Sequence, residues 1–420
     1  MDKRSFLTSL PALGAGIASV LKNIDTLNKD YLDFSPENLA TDERYWSEIR
    51  KGYRVKPDCI NLENGYYCIT PQETLEHLVQ HIRHVNYEGS KYMRTVQWEN
   101  KDKVAQAVAE LIGATNEEVI ITRNTTESLD TIIGGFPWSE GDEAIMAHTD
   151  YGSMLRMFKQ VEKRHNITCK YVDVPLHPKS DQEIVDVYAS AITPNTKLLM
   201  VCHIVNVTGH ILPVRKICDM AHARGVEVMV DGAHAYSHLN FNIQDLDCDY
   251  YGASLHKWLS TPLGAGMLYV NKKHIDKIWP LIASHTEEPG NIRRLNQTGT
   301  HPVYTDLAIL NALDYQERIG LDRKEARLRY LQRYWSDQVR DIDGIIVNTP
   351  VEAHRSCAIA NVGIKDMTPQ QMAITLLEEH KVWTVAIDNA SVKGCRICPN
   401  IYTTLEELDH FADALKQMAG

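Results

Sequence analysis

Two residues in this chain stand where their chemistry is costly unless it is used. In VEVMVDGAH, Asp231 closes an apolar, β-branched run. A carboxylate at the end of a buried strand is expensive unless it meets a cation or a strong donor. In CDYYGASLHKW, Lys257 lies just past another such run, after Ser254 and His256. A desolvated lysine has a lowered pKa and can form an imine. One cofactor needs both groups: pyridoxal phosphate takes a lysine Schiff base and a carboxylate opposite its ring nitrogen. Its phosphate must also be held. TRNTTESLD supplies a strand followed by a helix start, with Asn124 as candidate N-cap and Glu127 as its capping-box partner. The free N–H groups of that first turn, with the Thr125 and Thr126 hydroxyls, make an anion site. Each piece alone has an ordinary structural explanation. Their order on successive strands joins them.

The elements that must position these residues follow a regular rhythm. Short apolar runs recur at 118–122, 143–147, 168–174, 197–204, 226–231, 248–254 and 266–270. Segments of helical spacing lie between most of them, at 152–164, 182–192 and 215–223. Strands alternating with helices predict an α/β fold around a mostly parallel seven-stranded sheet covered on both faces. In such sheets ligands bind beyond the carboxyl ends of the strands. The residues there are Asn124, His148–Tyr151, Asn206, Asp231–His234 and Ser254–Lys257. After about Pro289 the character changes to a Gly-containing connection, a long charged helix through Asp314–Val339, and further strands. This predicts a smaller α+β C-terminal domain. The expected division is a targeting segment at 1–28, a segment at 29–70 packing on the small domain, a large cofactor-binding domain at 71–297, and the small domain at 298–420. A helix within Ala40–Lys56 is expected to lie across a surface.

Composition narrows the function class. At 44% hydrophobic and 24% charged, 420 residues hold ample material for a core. The net charge of −11 comes with no basic stripe, so a nucleic-acid partner is not expected. No apolar run is long enough to span a bilayer, so no membrane partner is expected either. Nine cysteines without repeating spacing argue against a disulfide framework. Cys395 and Cys398 sit three apart in an expected strand, where they point to opposite faces, so no metal or redox pair is assigned. The N-terminus has signal grammar, with Lys3-Arg4 before an uncharged stretch to Leu21. That resembles a twin-arginine signal with lysine in the first place and points to periplasmic export; otherwise the protein is cytoplasmic.

DGAH (231–234), SLHKW (254–258), CHIVNVTG (202–209), TGTHP (298–302) and CRICPNIYTTLEELD (395–409) together resemble the class V aminotransferases. The likeness is strongest to the isopenicillin N epimerase-like branch, which neighbours cysteine desulfurases and kynureninases. It runs from about Ile60 to the C-terminus and implies the pyridoxal-phosphate enzyme fold type I. By that resemblance Lys257 carries the cofactor and shuttles a proton, and Asp231 pairs with the ring nitrogen. His234 and Asn206 would hydrogen-bond the ring oxygen or the substrate, and Tyr151 would stack on the ring. Thr125, Thr126, Ser254 and His256 would bind phosphate, and Thr300 would reach the phosphate of a neighbouring subunit, implying a homodimer with shared sites. Arg396 would grip a substrate carboxylate, and Asn64 is a second candidate for substrate binding.

Transamination, epimerisation and elimination share their first steps, and family analogy favours aminotransferase-type chemistry on a small amino substrate. An epimerase or lyase acting on a peptide-derived or secondary metabolite is the alternative. A desulfurase would need a cysteine on a mobile loop before the Arg396 strand, and VAIDNASVKGCRIC leaves no room for one. From another class, Asp231, His234 and His238 form a candidate zinc hydrolase site, without the HExxH glutamate. A cofactor-free binding protein is disfavoured, because every expected cofactor contact has a residue.

Overall fold

The computed structural model describes residues 18–286, 288–389 and 391–420. Residues 1–17, which hold most of the candidate export signal, lie outside the described residues. The helix that follows, Ala18–Asp30, buries Ile24 and ties Asn28 Nδ2 to the Arg318 carbonyl at 2.6 Å.

After the short β1 (Ile60–Asn61) come the seven strands of the central sheet. They are β2 (Val119–Thr122), β3 (Glu143–Ala147), β4 (Thr168–Val172), β5 (Thr196–Cys202), β6 (Glu227–Asp231), β7 (Tyr250–Ser254) and β8 (Gly266–Val270). Their spatial order is β2-β8-β7-β6-β5-β3-β4, with β8 antiparallel to both its neighbours and every other pairing parallel. All seven coincide with the runs read from the sequence.

The runs are nearly all apolar because both faces are covered. Within β6, Val228 and Val230 enter one core and Met229 the other; β5 divides Leu199 and Val201 from Leu198 and Met200. Helices Thr125–Gly135 and Gly152–His165 close one face through Leu129, Ile132, Phe158 and Val161. Helices Gln97–Glu110, Asp181–Ala191 and Val214–His222 close the other through Val104, Ile184 and Ile217.

A second, antiparallel sheet joins β9 (Ile345–Val347), β10 (Ala360–Ile364), β12 (Val385–Asn389) and β13 (Val392–Ile397) in the order β12-β13-β10-β9. β11 (Val382–Trp383) pairs in parallel with β1 in a separate two-stranded sheet, which ties Ile60–Asn61 to the segment just before β12. Helices Pro369–Glu378 and Leu405–Ala419, each opened by a threonine capping box, pack Leu376 and Phe411 against it. Cys395 is buried in this core and Cys398 in a different one, which separates the CRIC pair.

Two expectations need correcting. The long helix through Asp314–Val339 is two helices, Val303–Ile319 and Leu321–Ser336. Gly320 breaks it at φ 90°, a left-handed backbone that glycine adopts without a Cβ penalty. The helix within Ala40–Lys56 is Glu43–Arg50, and it is a wedge rather than a surface element. Tyr45, Trp46 and Ile49 are buried in a core shared with Trp258, Tyr315 and Tyr402.

Candidate active site

A cavity of 360 Å³ opens beyond the carboxyl ends of β2, β5, β6 and β7. It gathers Asn124, Thr125, Thr126, Tyr151, Asn206, Asp231, His234, Ser254, His256, Lys257 and Arg396. The candidates outside it are Thr300 and Asn64.

Lys257 follows β7 in a tight turn, in which its own N–H donates to the Ser254 carbonyl and its carbonyl accepts from the Ser260 N–H. Burial, with Arg396 nearby, lowers its pKa to about 8, against the opposing pull of Asp231. Its Nζ lies 3.0 Å from His234 Nε2. The Trp258 indole N–H donates to His234 Nδ1 at 3.4 Å. Burial, with the Lys257 charge, drives the His234 pKa well down, so the ring is neutral. With Nδ1 accepting, the ring proton sits on Nε2 and can be accepted by Lys257 Nζ once that amine is neutral.

His238 stacks on Trp258 with ring centroids 3.8 Å apart. Its Nδ1 bonds the His234 carbonyl at 2.7 Å, and its Nε2 accepts from the Ala358 N–H at 3.0 Å. Both ring nitrogens are thereby engaged, so His238 has no lone pair for a metal, and the zinc alternative loses a ligand.

Asp231 ends β6 almost fully buried, with Oδ1 accepting from the Ala233 N–H at 3.0 Å. Burial pushes its carboxyl pKa up, opposed by that amide and by Lys257. A cation placed against it would restore full ionisation.

At the anion end, Asn124 caps helix Thr125–Gly135 by accepting from the Glu127 N–H at 2.9 Å. The capping box is not completed. The Glu127 carboxylate accepts from the Arg123 N–H at 2.6 Å and pairs with the Arg123 guanidinium, one residue earlier than expected. Ser254 Oγ accepts from the Thr125 N–H at 2.9 Å and bonds Thr125 Oγ1 at 2.7 Å, tying the end of β7 to the helix start.

Two buried polar atoms of the cavity wall, Asn206 Oδ1 and His256 Nδ1, have no partner. Buried polar atoms left unpaired are expected to meet a ligand or water. With the helix N-terminus, the hydroxyls of Thr125 and Thr126, the buried carboxylate and the lysine of lowered pKa, they match the donor set pyridoxal phosphate requires.

Other candidates are placed differently. Asn64 is fully buried, with Nδ2 donating to the Cys398 carbonyl at 2.8 Å and Oδ1 accepting from the Tyr402 hydroxyl at 2.6 Å. It braces the loop whose next residues, Gly65 and Tyr66, line the cavity. Thr300 is exposed and does not line the cavity of its own chain. Arg396, on β13, reaches the cavity with its guanidinium already engaged by Glu63.

Sequence reasoning passed over Arg123, Tyr66, Leu263 and Cys202, all in the wall. Cys202 closes β5 and donates to Asp150 Oδ1 at 3.2 Å, beside a carboxyl that burial raises to about 7. Its place at a strand end was the available signal. Nothing in the linear pattern marks Tyr66 or Leu263.

The model of the family described as Aminotransferase class-V matches residues 68–411. The chain belongs to the class-V aminotransferase family. This class-V protein is 26% identical over 396 residues to the isopenicillin N epimerase of Streptomyces clavuligerus, covering 89% of this chain and 98% of that one. It is 27% identical over 351 residues to a probable cysteine desulfurase of Halalkalibacterium halodurans, covering 78% of this chain and 85% of that one. Among solved structures it resembles a variant of C-DES with glycine covalently linked to the PLP cofactor. That likeness has a TM-score of 0.77 at 21% identity and covers 87% of this chain and 98% of that one. The class-V protein has the fold type I architecture and, as a member of that family, takes pyridoxal 5'-phosphate as its cofactor.

Proposed function

We propose that this pyridoxal-phosphate enzyme carries out aminotransferase-type chemistry on a small amine-bearing substrate, with Lys257 as the cofactor-bearing residue and the proton carrier. The observation that carries the reading is the buried Lys257 amine, brought to about pH 8 and set 3.0 Å from the neutral His234 ring. The bound cofactor supplies an electron sink for a carbanion. The residues of the chain do the rest. Asp231, made costly by burial, would hold the cofactor's ring nitrogen in its charged form, and Asn206 and His234 would offer it hydrogen bonds. Thr125, Thr126, Ser254 and His256 would hold its phosphate, and Tyr151, half exposed at the mouth, would be the aromatic against its ring.

Transamination needs one group that both removes and returns a proton. Lys257 can do so near neutral pH, whereas burial pushes His256 down to about 4 and the Cys202 thiol well up. The proposed division at 297–298 gives Arg396 to a smaller body, although helix Val303–Ile319 packs Leu307, Ile309 and Leu313 into the core of the seven-stranded sheet. A homodimer accounts for two features: Thr300 is exposed and does not line its own cavity, and Tyr66 and Leu263 at the mouth are 71% and 60% exposed.

Mixing the loaded enzyme with single amine donors, with no acceptor present, tests the reaction type. Stoichiometric conversion of the cofactor to its pyridoxamine form supports transamination. Exchange of the substrate's α-proton for deuterium with the amine retained sinks it. That outcome favours epimerisation, the second reading, which the similarity to an isopenicillin N epimerase motivates.

A further inference from the structure

Arg396 is 7% exposed and Glu63 9%, and the two meet as a buried, two-pronged ion pair at the substrate end of the cavity. Nε donates to Glu63 Oε2 at 3.1 Å, and Nη2 donates to Oε1. Oε1 also accepts from the Tyr66 N–H at 3.0 Å, which fixes the carboxylate to the loop at the cavity mouth. Nη1 donates to the Asn206 carbonyl at 3.2 Å. Of the five N–H donors of a guanidinium, three are spent and two remain, one on each terminal nitrogen.

The charge of Arg396 is thus answered from within the chain. A substrate carboxylate brought to the two remaining donors would stand next to the Glu63 carboxylate in a water-poor site, where like charges interact strongly. A neutral carbonyl or hydroxyl oxygen could take the same two donors without that repulsion. The rest of the cavity offers no substitute cation among its described residues. Arg123 is paired with Glu127 through two contacts of 3.0 Å, Lys257 is committed to the cofactor, and the His234 and His256 rings are neutral.

We propose that Glu63 is a specificity-determining residue that makes Arg396 a neutral-acceptor site, so that the substrate is an amine whose neighbouring group is an uncharged carboxamide, ester or hydroxyl rather than a free carboxylate. The inference rests on the cofactor reading above and refines the expectation that Arg396 grips a carboxylate. Glu63 does not line the cavity; it acts by balancing the charge that Arg396 presents there.

The test uses cofactor-loaded enzyme and two matched probes, alaninamide and alanine, each as both enantiomers. Binding is read from the change in cofactor absorbance, independent of turnover. The wild type should bind alaninamide at least tenfold more tightly than alanine. Glu63→Gln keeps the shape and removes the charge. It should tighten alanine at least tenfold and leave alaninamide within about threefold, whereas loss of a merely structural contact would weaken both. Arg396→Gln should remove the preference. A wild type that prefers alanine, a Glu63→Gln variant that weakens both probes alike, or no response to either probe overturns the proposal. Each of those results leaves the cofactor assignment standing. A protein that develops no imine absorbance with pyridoxal phosphate overturns that assignment itself.

Discussion

The pKa of Lys257 predicts how fast the enzyme should capture its cofactor as pH changes. Only the neutral amine attacks an aldehyde. Burial lowers the amine from 10.5 to about 8. At pH 7 that leaves about 10% of the amine neutral, against about 0.03% for an ordinary lysine, a gain of about 300-fold. The sign follows directly: the reactive fraction rises with pH and levels off once pH passes the folded-state pKa. Between pH 6 and pH 8 the capture rate should rise roughly 50-fold, and between pH 8 and pH 10 only about twofold more. An unperturbed lysine would instead gain about 70-fold or more over that second interval. Stopped-flow mixing of the cofactor-free protein with pyridoxal phosphate, followed by the growth of imine absorbance, gives the profile. Lys257→Ala supplies the blank, and borohydride should fix the cofactor to the wild type alone. A rate that keeps climbing tenfold per pH unit up to pH 10 would refute the claim that burial activates this amine.

Three further outcomes are expected. Lys324 is buried without a carboxylate partner, bonded to Gln316 Oε1 at 2.8 Å, to Ser237 Oγ at 3.3 Å and to the Trp258 carbonyl, and its pKa falls from 10.5 to about 8. The unfolded chain therefore binds more protons between those values, and stability should rise with pH. Relative to Lys324→Met, the wild type should gain about 2 kcal/mol between pH 7 and pH 9.5 in denaturant titrations, and a flat difference would count against it. At Gly266, a Cβ would lie 2.6 Å from the Asn124 backbone. Gly266→Ala should displace the Asn124 turn and, if that turn holds the phosphate, weaken pyridoxal phosphate roughly tenfold or more, in line with the ~1–3 kcal/mol of overpacking. Capture of phosphate-free pyridoxal should change little, and equal loss of both would show a general folding defect. Thr300→Val should weaken cofactor binding if it serves a neighbouring subunit, and sedimentation should give a dimer; an active monomer would contradict that role.

Much of the site was legible in the linear pattern because parallel α/β sheets are read strand by strand. Every β-branched run except the antiparallel β8 ends at the same edge, so Asp231, Ser254, His256 and Lys257 could be assigned to one cavity from their places after β6 and β7 alone. Asn124 and the first turn of its helix were equally local, since a cap is written within four residues. The sequence by itself thus determined the sheet, the places of the lysine and the carboxylate, and the capped turn at Asn124.

Other features depended on contacts between distant parts of the chain. Glu63 and Arg396 are paired across 333 positions, and nothing near either residue foretells the other. The state of His234 is set by the Trp258 indole, and the helix through Gly320 breaks where the packing of two helices needs a turn. The Asn64 side chain looks free to bind in sequence, yet Tyr402 and Cys398 consume it. Local spacing decides which groups stand at the cavity. Only tertiary packing decides their charge, their tautomer and whether their donors are already taken, because those depend on neighbours that the order of residues does not place side by side.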